Sequence, residues 1–385
     1  MSSSSFKKLL FVIAAMLLCI GSQVSLFMGG GFFTRAVRTK SILPQVPVTM
    51  TATTITPTQT VIKQEQAAHF EAGMIFPQWT QNSYGFSDTV WQQGLHDIQA
   101  QTGARWIELT ILLNQVSPTS THVGTGQSTA SVNAVASGII TARTLGYHVF
   151  IVPLMGVDVA GTWAASIHFS TYQEEQEWFD SYWQVLRPYY VAAAQAGADQ
   201  VSIGTELEWL QQNAPDTLWN TLIARVHSVF QGKLTYNMNW SSLYLVHPAW
   251  LTNNQLNIIG VSEYIPLVNA PVRVNPAEII PLWRDNIKSF LDKLAIELGK
   301  PLIISEIGYR NSADTLYHPW FPMSTISPPD PTEQAAACNA ALVNIFHDSH
   351  IVGIFFWGWD GVQEYKLSGQ PALAVLHKWY TSLQS

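Results

Sequence analysis

Residues 200–206 read Gln-Val-Ser-Ile-Gly-Thr-Glu, and residues 301–306 read Pro-Leu-Ile-Ile-Ser-Glu. Each is a short, mostly apolar run that closes on a glutamate. A run of this kind suits a strand covered on both faces, whose side chains are buried whichever way they point. Six further runs extend the pattern: 73–79, 105–113, 147–154, 233–239, 257–264 and 352–359. Between them lie amphipathic helical stretches, such as 87–102, 172–197, 212–231, 276–299 and 331–348. Eight β-then-α units predict an α/β domain over residues 70–385, a (β/α)8 TIM barrel rather than an open sheet, because eight parallel strands close on themselves.

In such a barrel the chemistry gathers at the C-terminal ends of the strands. Glu206 ends the fourth strand and Glu306 the seventh. A carboxylate there is costly to desolvate without a purpose. The two strands face each other across the barrel mouth, which suits groups flanking a single bond. Two such carboxyls are what glycosidic cleavage requires. One protonates the leaving oxygen; the other attacks the anomeric carbon from the opposite face. The first must stay protonated and the second ionised, so their surroundings must differ. Glu208 lies past the strand end and reads as a rim or helix-start residue. Glu108, inside the second strand, reads as a buried, paired carboxylate. Glu263 either contacts a ligand or pairs with Arg273 or Arg310. Asn114 and Gln115 follow the second strand and are candidate sugar contacts. Trp79, Trp163, Trp240 and Trp320 fall at strand ends or in the loops after them, where flat rings can stack on sugars. Trp91, Trp178, Trp183, Trp219, Trp283 and Trp379 fall in helical stretches and read as packing.

The composition agrees. Apolar residues make up 47 % of the 385 and charged residues only 12 %, against roughly 25 % in average domains. Tryptophan occurs 15 times, and the formal charge of −7 argues against nucleic acid as a partner. Lys7 and Lys8 precede an unbroken apolar run from Leu9 to Ile20, and no charge occurs from Leu9 to Thr34. Residues 1–40 therefore read as a signal peptide or an uncleaved membrane anchor. Residues 41–69 read as a Thr/Pro-rich linker unable to bury a face. That layout predicts an extracytoplasmic protein, secreted or anchored at the cell surface. Cys338 reads as a small buried hydrophobe. His347 and His350 suit a helix C-terminus rather than a metal, and no metal or cofactor motif occurs.

The chain resembles glycoside hydrolase family 113 over roughly residues 72–360. The resemblance is carried by 73–79, by Ala198–Leu207, by Gly232–Trp240, by Ile258–Leu267, by Ile304–Tyr309, by His318-Pro319-Trp320, by Glu333-Gln334 and by Phe355–Trp359. It implies a retaining β-1,4-mannan hydrolase that needs no cofactor and takes a polysaccharide or oligosaccharide. Glu206 would be the acid/base and Glu306 the nucleophile. Tyr264 would hydrogen-bond the nucleophile, and Trp357 would form the platform under the sugar at the cleavage point. Thr205, Asn239 and Tyr309, inside the same motifs, would be further sugar contacts. Thr205 stands where the wider clan carries Asn, Val152–Met155 lacks the family's polar residues, and Glu263 replaces a small residue. These departures bear on which sugar is cut. The alternatives are a same-clan enzyme on another β-glycan and a non-catalytic carbohydrate-binding barrel.

Overall fold

The computed structural model describes residues 70–321, 327–360 and 364–383. The expected signal or anchor and the linker lie outside the described residues. Among those described, no helix is long and apolar enough to cross a membrane.

Eight strands form the barrel: β1 (Glu71–Ile75), β2 (Trp106–Gln115), β3 (His148–Val157), β4 (Gln200–Thr205), β5 (Lys233–Asn239), β6 (Ile258–Glu263), β7 (Leu302–Ile307) and β8 (Ile351–Phe356). Each pairs in parallel with the next, and β1 pairs with both β2 and β8, so the sheet closes. A two-residue strand, Gly124–Thr125, lies antiparallel on the end of β2. Almost every strand residue is buried, as the continuous apolar runs require. Inside, the Phe355 ring meets Phe150 at 5.4 Å and Trp106 at 6.2 Å between centroids. Below them Lys233, on β5, reaches across the barrel to the buried Glu71 of β1 at 2.7 Å.

The helices begin where capping side chains stop the preceding loop. α1 (Thr89–Thr102) starts at Asp88, whose carboxylate accepts from Trp91 N–H. α2 (Val132–Thr144) starts at Ser131. α3 (Tyr172–Ala196) has a reciprocal Thr171/Glu174 cap and ends on Gly197 at φ 84°, a left-handed position that glycine adopts without strain. The expected 212–231 helix is two helices, α4 (Glu208–Asn213) and α5 (Asp216–Val229), divided at Ala214-Pro215. The expected 276–299 helix contains α6 (Pro276–Trp283), a π turn at Arg284–Lys288 and α7 (Ser289–Leu298). α8 (Pro331–Ile345) and α9 (Ala372–Thr381) complete the set. Cys338 is buried in α8, and burial pushes its thiol up to about 12, so it is an inert packing residue.

Candidate active site

Glu206 is the first residue past β4. Its backbone is left-handed (φ 55°), a conformation that costs a non-glycine residue about 1–2 kcal/mol. A hydrogen bond from its N–H to Asn237 O on β5 (2.8 Å) holds it there. Glu306 lies inside β7, opposite Ser262 of β6 in the register. The Tyr264 hydroxyl, just past β6, donates to Glu306 Oε1 at 2.6 Å. Both glutamates keep part of their surface open at the barrel mouth, while protein surrounds them on the other sides.

That setting separates their proton affinities. Burial raises both carboxyls above their ordinary range. At Glu206 the Glu306 charge raises it further; a Ser262 hydrogen bond pulls the other way, followed by a smaller upward push from Glu208 and a smaller downward one from Asn239. At Glu306 the Tyr264 hydrogen bond favours the ionised form. The first proton to leave the pair therefore leaves Glu306, and the one that remains sits on Glu206. A third carboxyl, Glu108, lies 2 % exposed within β2. Burial and then the Glu306 charge hold it neutral, well above the usual carboxyl range. It was expected to be paired, but no cation pairs with it among the described residues, and its Oε2 has no hydrogen-bond partner.

Aromatic rings flank the acids on two sides. Trp357, after β8, faces Trp79, after β1, at 6.4 Å and 46°. Trp240, after β5, stacks on Trp320 of the β7 loop at 5.4 Å and 28°, and His318 packs on the same Trp320. The Trp240 indole N–H has no protein acceptor. Asn114 occupies the end of β2, its amide lying where side chains at Gly126 and Gly156 would otherwise stand. Thr205 is 4 % exposed and shares a register position with Asn237; its hydroxyl is buried without a protein partner. Asn239, 1 % exposed, lies beside Glu206.

Other expectations are corrected. Gln115 is the last residue of β2 and not a loop residue. Its amide accepts from Trp178 Nε1 (2.8 Å) and donates to Ser117 O (2.7 Å), so it braces α3. Tyr309 is turned outward, where its hydroxyl accepts from Trp283 of α6 at 3.0 Å. Trp163, after β3, is as deeply buried as Trp240, Trp320 and Trp357, and no ring contact among the described residues joins it to either tryptophan pair. Glu263 neither pairs with an arginine nor opens to a ligand. It is 1 % exposed and accepts from Ile265 N–H at 2.8 Å, while Arg273 pairs with Asp330 and Arg310 with Asp314. Ser241 and Ser262, both near Glu206, were not singled out in the sequence. Ser262 had a signal: it lies two residues before Tyr264, on the same face of the strand.

A cavity of about 550 Å3 opens at the opposite, N-terminal end of the barrel, beside Arg105, His148 and Lys233. It is far from both acids and is not the catalytic site. Asp292, Asp348 and His350 cluster on the outside, but the Lys288 ammonium already binds both aspartates, at 2.5 and 2.6 Å.

The sequence profile of Glycoside Hydrolase Family 113 matches residues 74–372. No curated protein sequence matches the chain. Among solved structures, a GH113 beta-1,4-mannanase superposes with a TM-score of 0.69 at 21 % identity, covering 82 % of this chain and 99 % of its own. The GH113 beta-mannanase of Alicyclobacillus acidocaldarius gives 0.68 at 22 % identity, covering 82 % and 98 %. A β-glucuronidase from Ruminococcus gnavus gives 0.54 at 12 % identity, covering 81 % of this chain but 50 % of its own. At these identities the superpositions speak for the barrel.

Proposed function

The chain belongs to Glycoside Hydrolase Family 113 and is a glycoside hydrolase; from that premise we propose that it is a retaining enzyme cleaving β-1,4-mannan or glucomannan, with Glu306 as nucleophile and Glu206 as acid/base. The observation that carries this reading is the 2.6 Å hydrogen bond from Tyr264 to Glu306 beside a Glu206 that keeps its proton. Ionised Glu306 attacks the anomeric carbon as Glu206 gives its proton to the departing oxygen. Glu206, now a carboxylate, takes a proton from water. The resulting hydroxide equivalent displaces Glu306 and restores both groups.

The choice of mannan has its own support. The matched GH113 structures are described as β-mannanases. A mannosyl unit at the cleavage point carries an axial 2-hydroxyl, and Thr205 is shorter than the Asn it replaces. Trp240, with an unclaimed indole N–H, adjoins Asn239 at the end of β5. The paired tryptophans on both sides offer flat surfaces to successive sugar rings.

The test is hydrolysis of mannan, glucomannan, cellulose, xylan and galactan side by side, with the anomer released followed by NMR. Mannan or glucomannan is expected to be cut with retention. Glu306→Ala should lose all turnover. Glu206→Ala should lose it on polysaccharide but keep much of the first step on an aryl glycoside, whose leaving group needs little protonation. Clear preference for cellulose, xylan or galactan rejects the mannan reading, and inversion rejects Glu306 as nucleophile.

A further inference from the structure

Glu208 opens α4 two residues beyond Glu206 and is partly exposed. Its carboxylate accepts a hydrogen bond from the Ser241 hydroxyl. Ser241 in turn donates its backbone N–H to Asn239 Oδ1 at 3.0 Å. That contact falls on the oxygen of the amide, so the amide nitrogen is turned the other way. Asn239 is 1 % exposed, and Glu206 is its carboxyl neighbour. Four residues from α4, the loop after β5, β5 itself and the end of β4 thus form one chain that ends on the proton donor.

We propose that Glu208 is a positioning residue for Glu206, acting through Ser241 and Asn239. The inference rests on the assignment of Glu206 as acid/base. The chain does two things. It ties Glu208 to Ser241, whose backbone N–H keeps the Asn239 amide in one orientation, so that Glu206 meets an N–H rather than an oxygen. It also sets a second negative charge near Glu206, which opposes loss of the Glu206 proton. The titratable groups facing Glu206 are Glu306 from β7, Glu208 from α4, Tyr236 from β5 and Tyr264 past β6. Burial keeps both phenols neutral. Burial and the ionised Glu306 do most to keep Glu206 an acid, and Glu208 adds a smaller push in the same direction.

The experiment measures kcat/KM against pH for the full chain, using whichever β-glycan the wild type hydrolyses and an activated aryl glycoside of the same sugar. Glu208→Gln keeps the bond to Ser241 and removes the charge. Its alkaline limb should move acidward by about one pH unit. Above the wild-type alkaline limb it should lose up to about tenfold on the glycan and little on the aryl glycoside. Ser241→Ala removes the hydroxyl that holds Glu208 but keeps the backbone N–H on Asn239 Oδ1, so the Glu208 carboxylate is freed to swing away and the same limb should move acidward by a smaller amount. It also leaves α4 untouched, so it decides the matter alone should Glu208→Gln not fold. Unmoved limbs, or equal losses on both substrates, overturn the proposal and leave Glu208 a structural residue. A wild type inactive on every glycan would instead overturn the catalytic reading on which it rests.

Discussion

Tyr264 is the residue on which the division of labour between the acids turns. Its hydroxyl donates to Glu306 at 2.6 Å, so it stabilises the nucleophile in its charged form. Tyr264→Phe removes that donor and leaves the ring. Glu306 should then ionise at higher pH, moving the acid limb of the kcat/KM profile up by about one unit, with kcat lower by roughly 10–100-fold. A mutant whose acid limb stays in place would show that the hydrogen bond does not tune the nucleophile. Single residues of this kind were largely open to sequence reasoning. Glu206, Glu306, Tyr264, Trp79, Trp357, Trp240 and Trp320 all end strands or follow them, and all come to the barrel mouth. Two of the misses come from the direction in which a side chain leaves its strand, which alternates with a period of two. Gln115 follows Asn114 by one residue and so faces the other way, toward Trp178. Tyr309 follows Glu306 by three, an odd step, and faces Trp283. Glu208 escaped because its link to Glu206 runs through Ser241, on a different element, and no local pattern reveals such a contact.

At the scale of elements, every strand expected from an apolar run exists, with ends displaced by at most four residues. What the runs could not reveal is where the ladders slip. The register shifts between Ser202 and Thr205 on β4, between Gly260 and Ser262 on β6, and twice along β7. These irregularities adjoin Glu206 and Glu306, where a bulge re-aims a side chain. They depend on how neighbouring strands meet, a relation between distant stretches of chain that neither stretch carries alone. The helices erred for local reasons: Pro215 breaks one, and a π turn at Arg284–Lys288 interrupts another. Gly260 makes the β6 slip possible. A Cβ there would stand 2.3 Å from Asn237 Oδ1 and 2.7 Å from Ser305 Oγ. Gly260→Ala is therefore expected to lower stability by about 1–3 kcal/mol, the usual effect of overpacking a filled interior. Urea denaturation measures it, and a midpoint equal to the wild type's would show that the strand pair has room to spread.

For the molecule as a whole, the buried interior holds more carboxyl groups than it can charge. Burial raises Glu71, Glu108, Glu206, Glu263 and Glu306 together, and only Glu71 has a lysine against it. Glu263 isolates the consequence, because it stands outside the catalytic pair. It is 1 % exposed and pushed up to about 8. In the unfolded chain it releases its proton near the ordinary value of about 4.3. Between those two values the folded state holds more protons than the unfolded one, so stability falls as pH rises. The contribution is complete below the unfolded value and is lost as pH climbs through about 8. The fold should accordingly be most stable in mild acid and weaken toward neutrality. Glu263→Gln separates this effect from the general repulsion of an acidic chain. The amide oxygen can still accept from Ile265 N–H, while the titration disappears. The fall in Tm between about pH 5 and about pH 8 should shrink in the mutant by several degrees, at roughly 2–4 °C for each kcal/mol in a large domain. Parallel curves for mutant and wild type would mean that Glu263 keeps the same proton in both states, and that the acid preference arises from the catalytic carboxyls and Glu108.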